Sequence, residues 1–217
     1  MARRTLPTAV AFATTAALVL TACGGSDDSS SDDIKGADKG SSSPSASASA
    51  SASAAADRPK ITLPSSFKLT FESWTSGNAK EQAVLDDAKE ELRAGYAAII
   101  ANDPDSEDLA FYDTETGLPQ SKKWIKSYTD KNVTVIGELP AFDPKVTLVK
   151  NVDGRTATLG YCTDESKAST KDRKTGKVVG NPAGTDPEVF YSVTLRKSAR
   201  GVWQNASVTS KRGGCAK

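Results

Sequence analysis

The chain has 217 residues, with 28 lysines and arginines, 27 aspartates and glutamates, and no histidine. This near balance of charge excludes the strongly basic surface that nucleic-acid-binding proteins use, so we predict no nucleic-acid partner. The absence of histidine removes the commonest general base and metal ligand, and the sequence gives no reason to expect a metal or a cofactor.

The first 22 residues have the pattern of an export signal. Two arginines near the start precede an apolar or small-residue run over 9–20, which is shorter than the roughly 20 residues of a membrane-spanning helix. A basic start, a short apolar run and small residues at its end are typical of a secretory signal peptide. The end of the run, LTAC at 20–23, resembles the lipobox of bacterial lipoproteins, which implies cleavage after Ala22 and a diacylglycerol thioether on Cys23. The alternative is an ordinary cleaved signal with a chance cysteine.

Residues 23–60 would then carry the lipid on Cys23 and continue as a segment rich in serine, alanine, glycine and aspartate. This segment has no aromatic residue, and Ile34 is its one large aliphatic residue. It cannot bury enough apolar surface to offset the entropy of ordering, so we predict a disordered tether. As a flexible coil, the tether would hold the folded part about 30–36 Å from the anchor.

Residues 61–217 have the length of one domain. Alternating apolar residues at Phe67, Leu69 and Phe71 predict a half-buried strand within 61–74. Asn78 with Glu81 predicts a helix N-cap with a capping box, and apolar spacings of three and four predict a long amphipathic helix that ends near residue 102. The predicted charged face of this helix comprises Lys80, Asp86, Asp87, Lys89, Glu90 and Arg93.

Beyond the long helix, 107–113 reads as either a short helical turn or an extended piece, and 118–132 as a short helix that presents Trp124, Ile125 and Tyr128. Strands are predicted at 133–138, 145–152, 156–163, 188–197 and 202–210. Asp153-Gly154 predicts a hairpin turn. The lysine-rich segment 165–187 is predicted to be a solvated loop, with contact to an anionic wall polymer as the alternative. Helices followed by an antiparallel meander indicate an α+β fold, in which the long helix packs on a curved sheet.

The remaining two cysteines, Cys162 and Cys215, are predicted to form a disulfide, because a thiol pair outside the cytoplasm is expected to oxidise. The bond would stabilise the fold by about 4 kcal/mol, less any strain. The alternative, a pair of free thiols in a redox or metal site, lacks further ligands nearby.

The element order and several motifs resemble the NTF2-like (SnoaL-like) superfamily, and in particular small exported lipoproteins of high-GC Gram-positive bacteria. The motifs are FESW before the helix, GYCTDES, KTGK, the final strand GVWQNASV and a closing GGC. The resemblance covers most of 65–215 and implies a cone-shaped domain with a hollow mouth. Enzymes of this superfamily, such as ketosteroid isomerases and polyketide cyclases, work in the cone with a carboxylate base and Tyr, Asp or His partners.

Asp164 is the candidate base that the sequence offers for such a cone, because a carboxylate in an apolar pocket has a raised pKa and exchanges protons near neutrality. The alternative is that Asp164 caps a turn at the end of a strand. The tyrosine partner of that base would be Tyr96, Tyr128, Tyr161 or Tyr191. Six aromatic residues could line a ligand pocket or could form core: Trp74, Tyr96, Trp124, Tyr128, Tyr191 and Trp203.

We therefore expect a binding or interaction module of the cell envelope, held on the outer face of the membrane by the lipid on Cys23. Its partner would be an envelope protein or a small apolar ligand. The alternative is an isomerase, cyclase or dehydratase that acts on a small hydrophobic substrate with Asp164 as base. An enzyme needs a buried carboxylate with a raised pKa in an open cone, whereas the cone of a binding module can be filled by its own side chains.

Overall fold

The structure, a computed structural model, describes residues 57–150 and 153–215. The predicted signal peptide, Cys23 and most of the predicted tether lie outside the described residues. The described part belongs to one compact unit of the chain, 48–217, and is an α+β domain. Its elements are β1 (Phe67–Phe71), α1 (Ala79–Ala101), α2 (Glu107–Tyr112), α3 (Leu118–Thr129), β2 (Val133–Leu148), β3 (Thr156–Asp164), β4 (Ala168–Asp172), β5 (Val178–Val179), β6 (Glu188–Lys197) and β7 (Trp203–Arg212).

The predicted long amphipathic helix is present as α1. The Asn78 side chain accepts a hydrogen bond from the backbone N–H of Lys80 at 2.9 Å, as an N-cap does. Glu81 does not complete the predicted capping box; its carboxylate instead accepts from the hydroxyl of Ser76 at 2.7 Å. The helix is capped by Asn102, whose left-handed φ of 61° allows the next N–H, that of Asp103, to donate back to Ala98 O at 2.9 Å.

Asp87 was predicted to lie on the charged, solvent-facing side of α1, but it is buried, with 2% exposure. Its Oδ1 accepts from Arg58 Nε at 2.9 Å, and its Oδ2 accepts from the backbone N–H of Trp203 at 2.8 Å. A buried carboxylate needs such partners, and helical periodicity could not reveal them because they come from distant parts of the chain. Asp87 thus ties the start of the domain and the start of β7 to α1.

The strands form one sheet in the order β5-β4-β2-β3-β6-β7, with β1 paired to the middle of β2. The pairings along that path are antiparallel, as predicted, but β1 and β2 are parallel, which corrects the all-antiparallel expectation. β2 holds the sheet together, because its first residues pair with β4 and its last residues pair with β3.

The predicted strands at 133–138 and 145–152 are one continuous strand, β2. Prolines at 140 and 144 are unfavourable within a sheet, but β2 accommodates them with irregularities that change its direction without ending it. Gly137 and Asp143 have positive φ of 98° and 50°, and the pairing with β3 shifts register between Phe142 and Lys145. The Asp153-Gly154 turn follows, with φ 58° at Gly154, and β2 and β3 pair antiparallel on either side of it.

The predicted loop 165–187 contains the hairpin of β4 and β5. Its polar residues concealed the strands, because this hairpin lies at the edge of the sheet and has little buried surface. Just after β4, Arg173 donates from its guanidinium to the carbonyl oxygens of Ile99 and Ile100. Arg173 therefore satisfies the C-terminal end of α1 and does not extend into solvent as a free cation.

The largest core cluster surrounds Trp74 and packs α1 against β2, β3, β6 and β7. The Trp74 indole donates to Ala141 O at 3.0 Å and is 2% exposed. A second cluster around Phe67 and Ile99 packs the C-terminal half of α1 against α3 and β2. None of the described helices is long and apolar enough to cross a membrane.

The predicted disulfide is confirmed. Cys162 in β3 is bonded to Cys215, 53 residues further along the chain, with 6.1 Å between their Cα atoms. The bond fastens the segment that follows β7 to a strand two places away in the sheet.

Candidate functional site

A cavity of about 280 Å³ lies between the helices α1 and α3 and the strands β3, β6 and β7. Its volume is at the lower end of ligand pockets, so it suits a small molecule. The lining side chains are predominantly aromatic and polar: Glu91, Leu92, Tyr96, Gln120, Ser121, Trp124, Tyr161, Thr163, Tyr191, Val193, Asn205, Val208, Thr209 and Ser210.

Glu91 is the acidic residue of the described lining. It projects from α1, and its carboxyl group has no hydrogen-bond partner among the described residues. Its surface exposure is intermediate, as expected for a side chain that borders a hollow. Burial, and secondarily the negative charge of Asp113, raise the pKa of Glu91 well above its usual range. Glu91 is therefore held in its neutral, proton-carrying form to higher pH than an ordinary glutamate.

Asp113 lies behind the cavity wall and is 3% exposed. Its Oδ1 accepts from Ser121 Oγ at 2.8 Å and from Asn205 Nδ2 at 3.0 Å, and both of these partners line the cavity. Its Oδ2 has no partner among the described residues, and neither does Asn205 Oδ1. Burial raises the pKa of Asp113 to about 6, against the opposing effect of its two hydrogen bonds. Glu91 and Asp113 are thus two carboxyl groups at this cavity whose pKa values are both raised.

Four aromatic rings form the other walls. The Tyr161 and Tyr191 rings are stacked, with centroids 5.1 Å apart and planes 11° apart. Trp124 meets Tyr96 edge to face at 5.3 Å. Burial raises the pKa of Tyr96 and Tyr161 well above the usual value and that of Tyr191 to about 12, so these phenols stay neutral at physiological pH.

The exposed lining residues Gln120, Thr209 and Ser210 mark the side of the cavity nearest to solvent. Here the Gln120 amide donates to Val208 O at 2.5 Å and accepts from Val208 N at 3.0 Å. The two hydrogen bonds join α3 to β7, which lies at the edge of the sheet. They fix the separation of the two elements at this side of the cavity.

A second hollow, of about 240 Å³, shares Tyr96 with the first. Tyr128 lines it, together with an ion pair of Arg212 and Glu165 in which the nitrogen and oxygen are 2.5 Å apart. Because that guanidinium already has a carboxylate partner, this hollow presents no uncompensated charge among its described lining residues.

The structure distributes the predicted site residues between cavity and core. Tyr96, Trp124, Tyr128 and Tyr191 line the two hollows, whereas Trp74 and Trp203 lie in the core, at 2% and 3% exposure. Trp203 starts β7, where its backbone N–H donates to Asp87.

Asp164 does not line either hollow. It lies at the end of β3, where its Oδ1 accepts from Ser166 N at 2.8 Å, which is the turn-capping role considered as the alternative. The carboxylate in the cavity is Glu91, which the sequence reasoning missed. Glu91 follows Ala88 by three residues and precedes Gly95 by four, so it interrupts the buried stripe of α1, and this break was the available signal.

The described residues contain no group of three or more His, Cys, Asp or Glu side chains that could hold a metal ion.

No protein-family model and no curated protein sequence matches the chain. Among solved structures, a ketosteroid isomerase-like protein from Erwinia carotovora atroseptica is 17% identical, with 62% of this chain and 97% of that chain covered at a TM-score of 0.39. The protein Aln2 from a Streptomyces species is 11% identical, covering 64% and 95% at 0.41. ActVI-ORFA from Streptomyces coelicolor is 11% identical, covering 62% and 96% at 0.41. TM-scores below 0.5 support no inference about the ligand or activity of this chain.

Proposed function

We propose that this chain is an extracytoplasmic lipoprotein whose NTF2-like domain binds a small ligand in the cavity around Glu91. The NTF2-like assignment rests on the sequence motifs, together with the order of a long helix, two short helices and a bent sheet that encloses a hollow. The lipid anchor rests on the lipobox-like LTAC at the end of a short apolar run. The tether would hold the cavity clear of the membrane surface.

The observation that carries the proposal is the carboxyl group of Glu91, which is unpartnered among the described residues and lies within a hollow. Asn205, in the same lining, has a buried Oδ1 without a partner among the described residues, and such an unsatisfied group costs about 1–3 kcal/mol. A ligand with a complementary polar group would remove this cost, and the aromatic walls would bury its apolar part. The alternative expectation, a cone filled by its own Trp and Tyr side chains, does not fit a hollow of about 280 Å³.

Ligand binding can be tested by ligand-observed NMR with a panel of small aromatic and aliphatic fragments. Val193 lines the cavity, and Val193→Phe should fill it and abolish the fragment signals. Val149→Phe, at an exposed position, is the matched control and should retain them. If no fragment binds the wild type, or if Val193→Phe binds the same fragments equally well, the proposal is overturned.

Proton-transfer catalysis in the same cavity is the second candidate, because a carboxyl group with a raised pKa is suited to act as a base near neutrality. Glu91 would take the role first considered for Asp164, on a small hydrophobic substrate of the isomerase, cyclase or dehydratase type. Glu91→Gln separates the two functions. A catalyst loses turnover by about a hundredfold or more and keeps its binding, whereas a pure binding domain shows no turnover to lose.

The anchor has an independent test in a Gram-positive host. We expect Cys23→Ser to abolish lipid attachment, so that the protein moves from the membrane fraction to the medium. Ser26→Ala, a few residues further along the chain, is the control and should stay membrane-bound. Unchanged processing and retention of the Cys23→Ser variant would reject the anchor.

A further inference from the structure

We infer that the ligand class of the Glu91 cavity is a protonated primary amine attached to an aromatic or compact apolar body. The inference rests on the proposed ligand-binding role and specifies the chemistry that the cavity would recognise. Three features carry it: the charge of the site, its unpaired acceptors and its aromatic walls.

The site has acidic groups without cationic partners among the described lining residues. Glu91 lines the cavity and Asp113 lies directly behind Ser121 and Asn205, while none of the described lining residues is a lysine or an arginine. Carboxylates elsewhere in this domain have cationic partners: the buried Asp87 has Arg58, and the half-buried Glu165 has Arg212. Because buried charges are normally paired, the cavity lacks a positive charge that a bound ligand could supply.

The unpaired groups of the described lining include acceptors, beside the Thr163 hydroxyl, which can donate or accept. Asn205 is 2% exposed, and its Nδ2 donates to Asp113, so its remaining Oδ1 can only accept and has no partner among the described residues. An ionised Glu91 offers two further acceptor oxygens. An ammonium group has three N–H donors and no acceptor, so it matches acceptors of both kinds, whereas a ligand carbonyl could accept from a protonated Glu91 but would leave Asn205 Oδ1 unpaired.

The walls suit a cation with an apolar body. Tyr96, Trp124, Tyr161 and Tyr191 present aromatic surfaces that attract a nearby ammonium through their ring quadrupoles. These rings also pack well against an aromatic or compact aliphatic group. An anionic ligand, by contrast, would be placed beside two carboxyl groups.

Binding should release a proton. Burial raises the pKa of Glu91, so in the empty site it keeps its proton to higher pH than an ordinary glutamate, and the titratable groups near it, Asp113 and the phenols of Tyr96, Tyr161 and Tyr191, supply no positive charge. When the ammonium enters, the Glu91 O–H bond breaks, the proton leaves to solvent, and a carboxylate–ammonium pair forms. The affinity should therefore rise with pH as long as the amine, whose pKa resembles that of lysine, stays protonated.

The test compares 2-phenylethylamine with its uncharged near-isostere 2-phenylethanol by calorimetry near neutral pH, in two buffers of different ionisation enthalpy. We expect the amine to bind at least roughly tenfold more tightly, a difference of about 1.4 kcal/mol, with release of a proton. Glu91→Gln should bring the amine to the affinity of the alcohol and leave the alcohol unchanged. Glu90→Gln, at the neighbouring residue that pairs with Arg93, is the matched control and should retain the preference.

The negative results distinguish failure of the amine inference from failure of the proposed function. Equal affinity for amine and alcohol in the wild type, or amine binding without proton release, overturns the amine inference and leaves ligand binding intact. Binding of other fragments but of neither probe also overturns it. Absence of binding by every fragment and by both probes rejects the proposed function itself. The affinities of the wild type for amine and alcohol, and the number of protons released on binding, need no variant. They therefore test the amine inference even if Glu91→Gln fails to fold.

Discussion

At the residue scale, three carboxyl groups differ in their partners: those of Asp87 and Glu91 in α1, and that of Asp113, which follows α2. Asp87 is buried with a guanidinium and a backbone N–H, so its charge is compensated inside the domain. Glu91 has no partner among the described residues, and Asp113 has two neutral donors and no cation there. This difference separates a structural carboxylate from the ones suited to a ligand site, since strongly perturbed pKa values concentrate at functional sites.

Asp113 makes a pH-dependent contribution to stability that can be measured. Below its ordinary pKa of 3.8 it is protonated in both the folded and unfolded states, so it has no effect on folding. As the pH rises, the unfolded state loses this proton first, and the fold loses up to about 3 kcal/mol before the folded-state pKa of about 6 is passed. Asp113→Asn should remove this loss, so its stability relative to wild type should rise between about pH 4 and about pH 6 in urea unfolding and then level off.

The control for that experiment is Glu115→Gln, at an exposed position two residues along the chain. We expect its stability to follow the wild type across the whole range. If the unfolding free energy of Asp113→Asn changed with pH in parallel with that of the wild type, burial would not perturb the pKa of the Asp113 carboxyl group.

At the element scale, the turn between α2 and α3 is docked onto β7 and sets the back wall of the cavity. Asn205 O accepts from Thr114 N at 2.8 Å and from Thr114 Oγ1 at 3.1 Å. Gly117 lies so close to the same carbonyl that a Cβ atom added there would be 2.3 Å from Asn205 O. The position of Asn205 in the cavity therefore depends on a residue without a side chain at the start of α3.

Gly117→Ala should consequently destabilise the domain by about 1–3 kcal/mol, as overpacking does, and weaken ligand binding through displacement of Asn205. Gly77→Ala is the control, because an added Cβ there would have no atom within 4 Å. It should change stability by less than about 0.5 kcal/mol. The two variants are compared by chemical denaturation and by titration with fragments. If Gly117→Ala were as stable as Gly77→Ala, the close approach of Gly117 to Asn205 O would be contradicted.

At the scale of the whole molecule, the sequence predicted those features that depend on residues close together in the chain or on the number of cysteines. The spacing from Leu85 to Ile99 predicted α1, and the pairing of the two cysteines left after Cys23 was confirmed. Features that depend on contacts between distant segments of the chain could not be predicted from the sequence. The parallel pairing of β1 with β2 joins Phe67 to Gly137, and the partners of Asp87 come from 29 and 116 residues away. Glu91 could be seen as a break in an apolar stripe, but the opposing walls that make it a site come from other elements.

The disulfide stabilises the whole molecule, because it closes a 53-residue loop that contains β4 to β7. Its bond between β3 and the segment after β7 also restrains the terminal residues of β7, where Arg212 pairs with Glu165. Thr209 and Ser210, on the same strand, line the cavity. Loss of the bond should therefore lower global stability and loosen one wall of the site.

We expect the double variant Cys162→Ser, Cys215→Ser to lose roughly 4 kcal/mol of unfolding free energy, less any strain released, because its unfolded chain is no longer cross-linked. Urea unfolding of the oxidised wild type, the reduced wild type and the double variant measures this loss. The reduced wild type and the variant should agree with each other, since both lack the same constraint. A double variant as stable as the oxidised protein would mean that the remaining contacts of β7 suffice to hold this end of the domain.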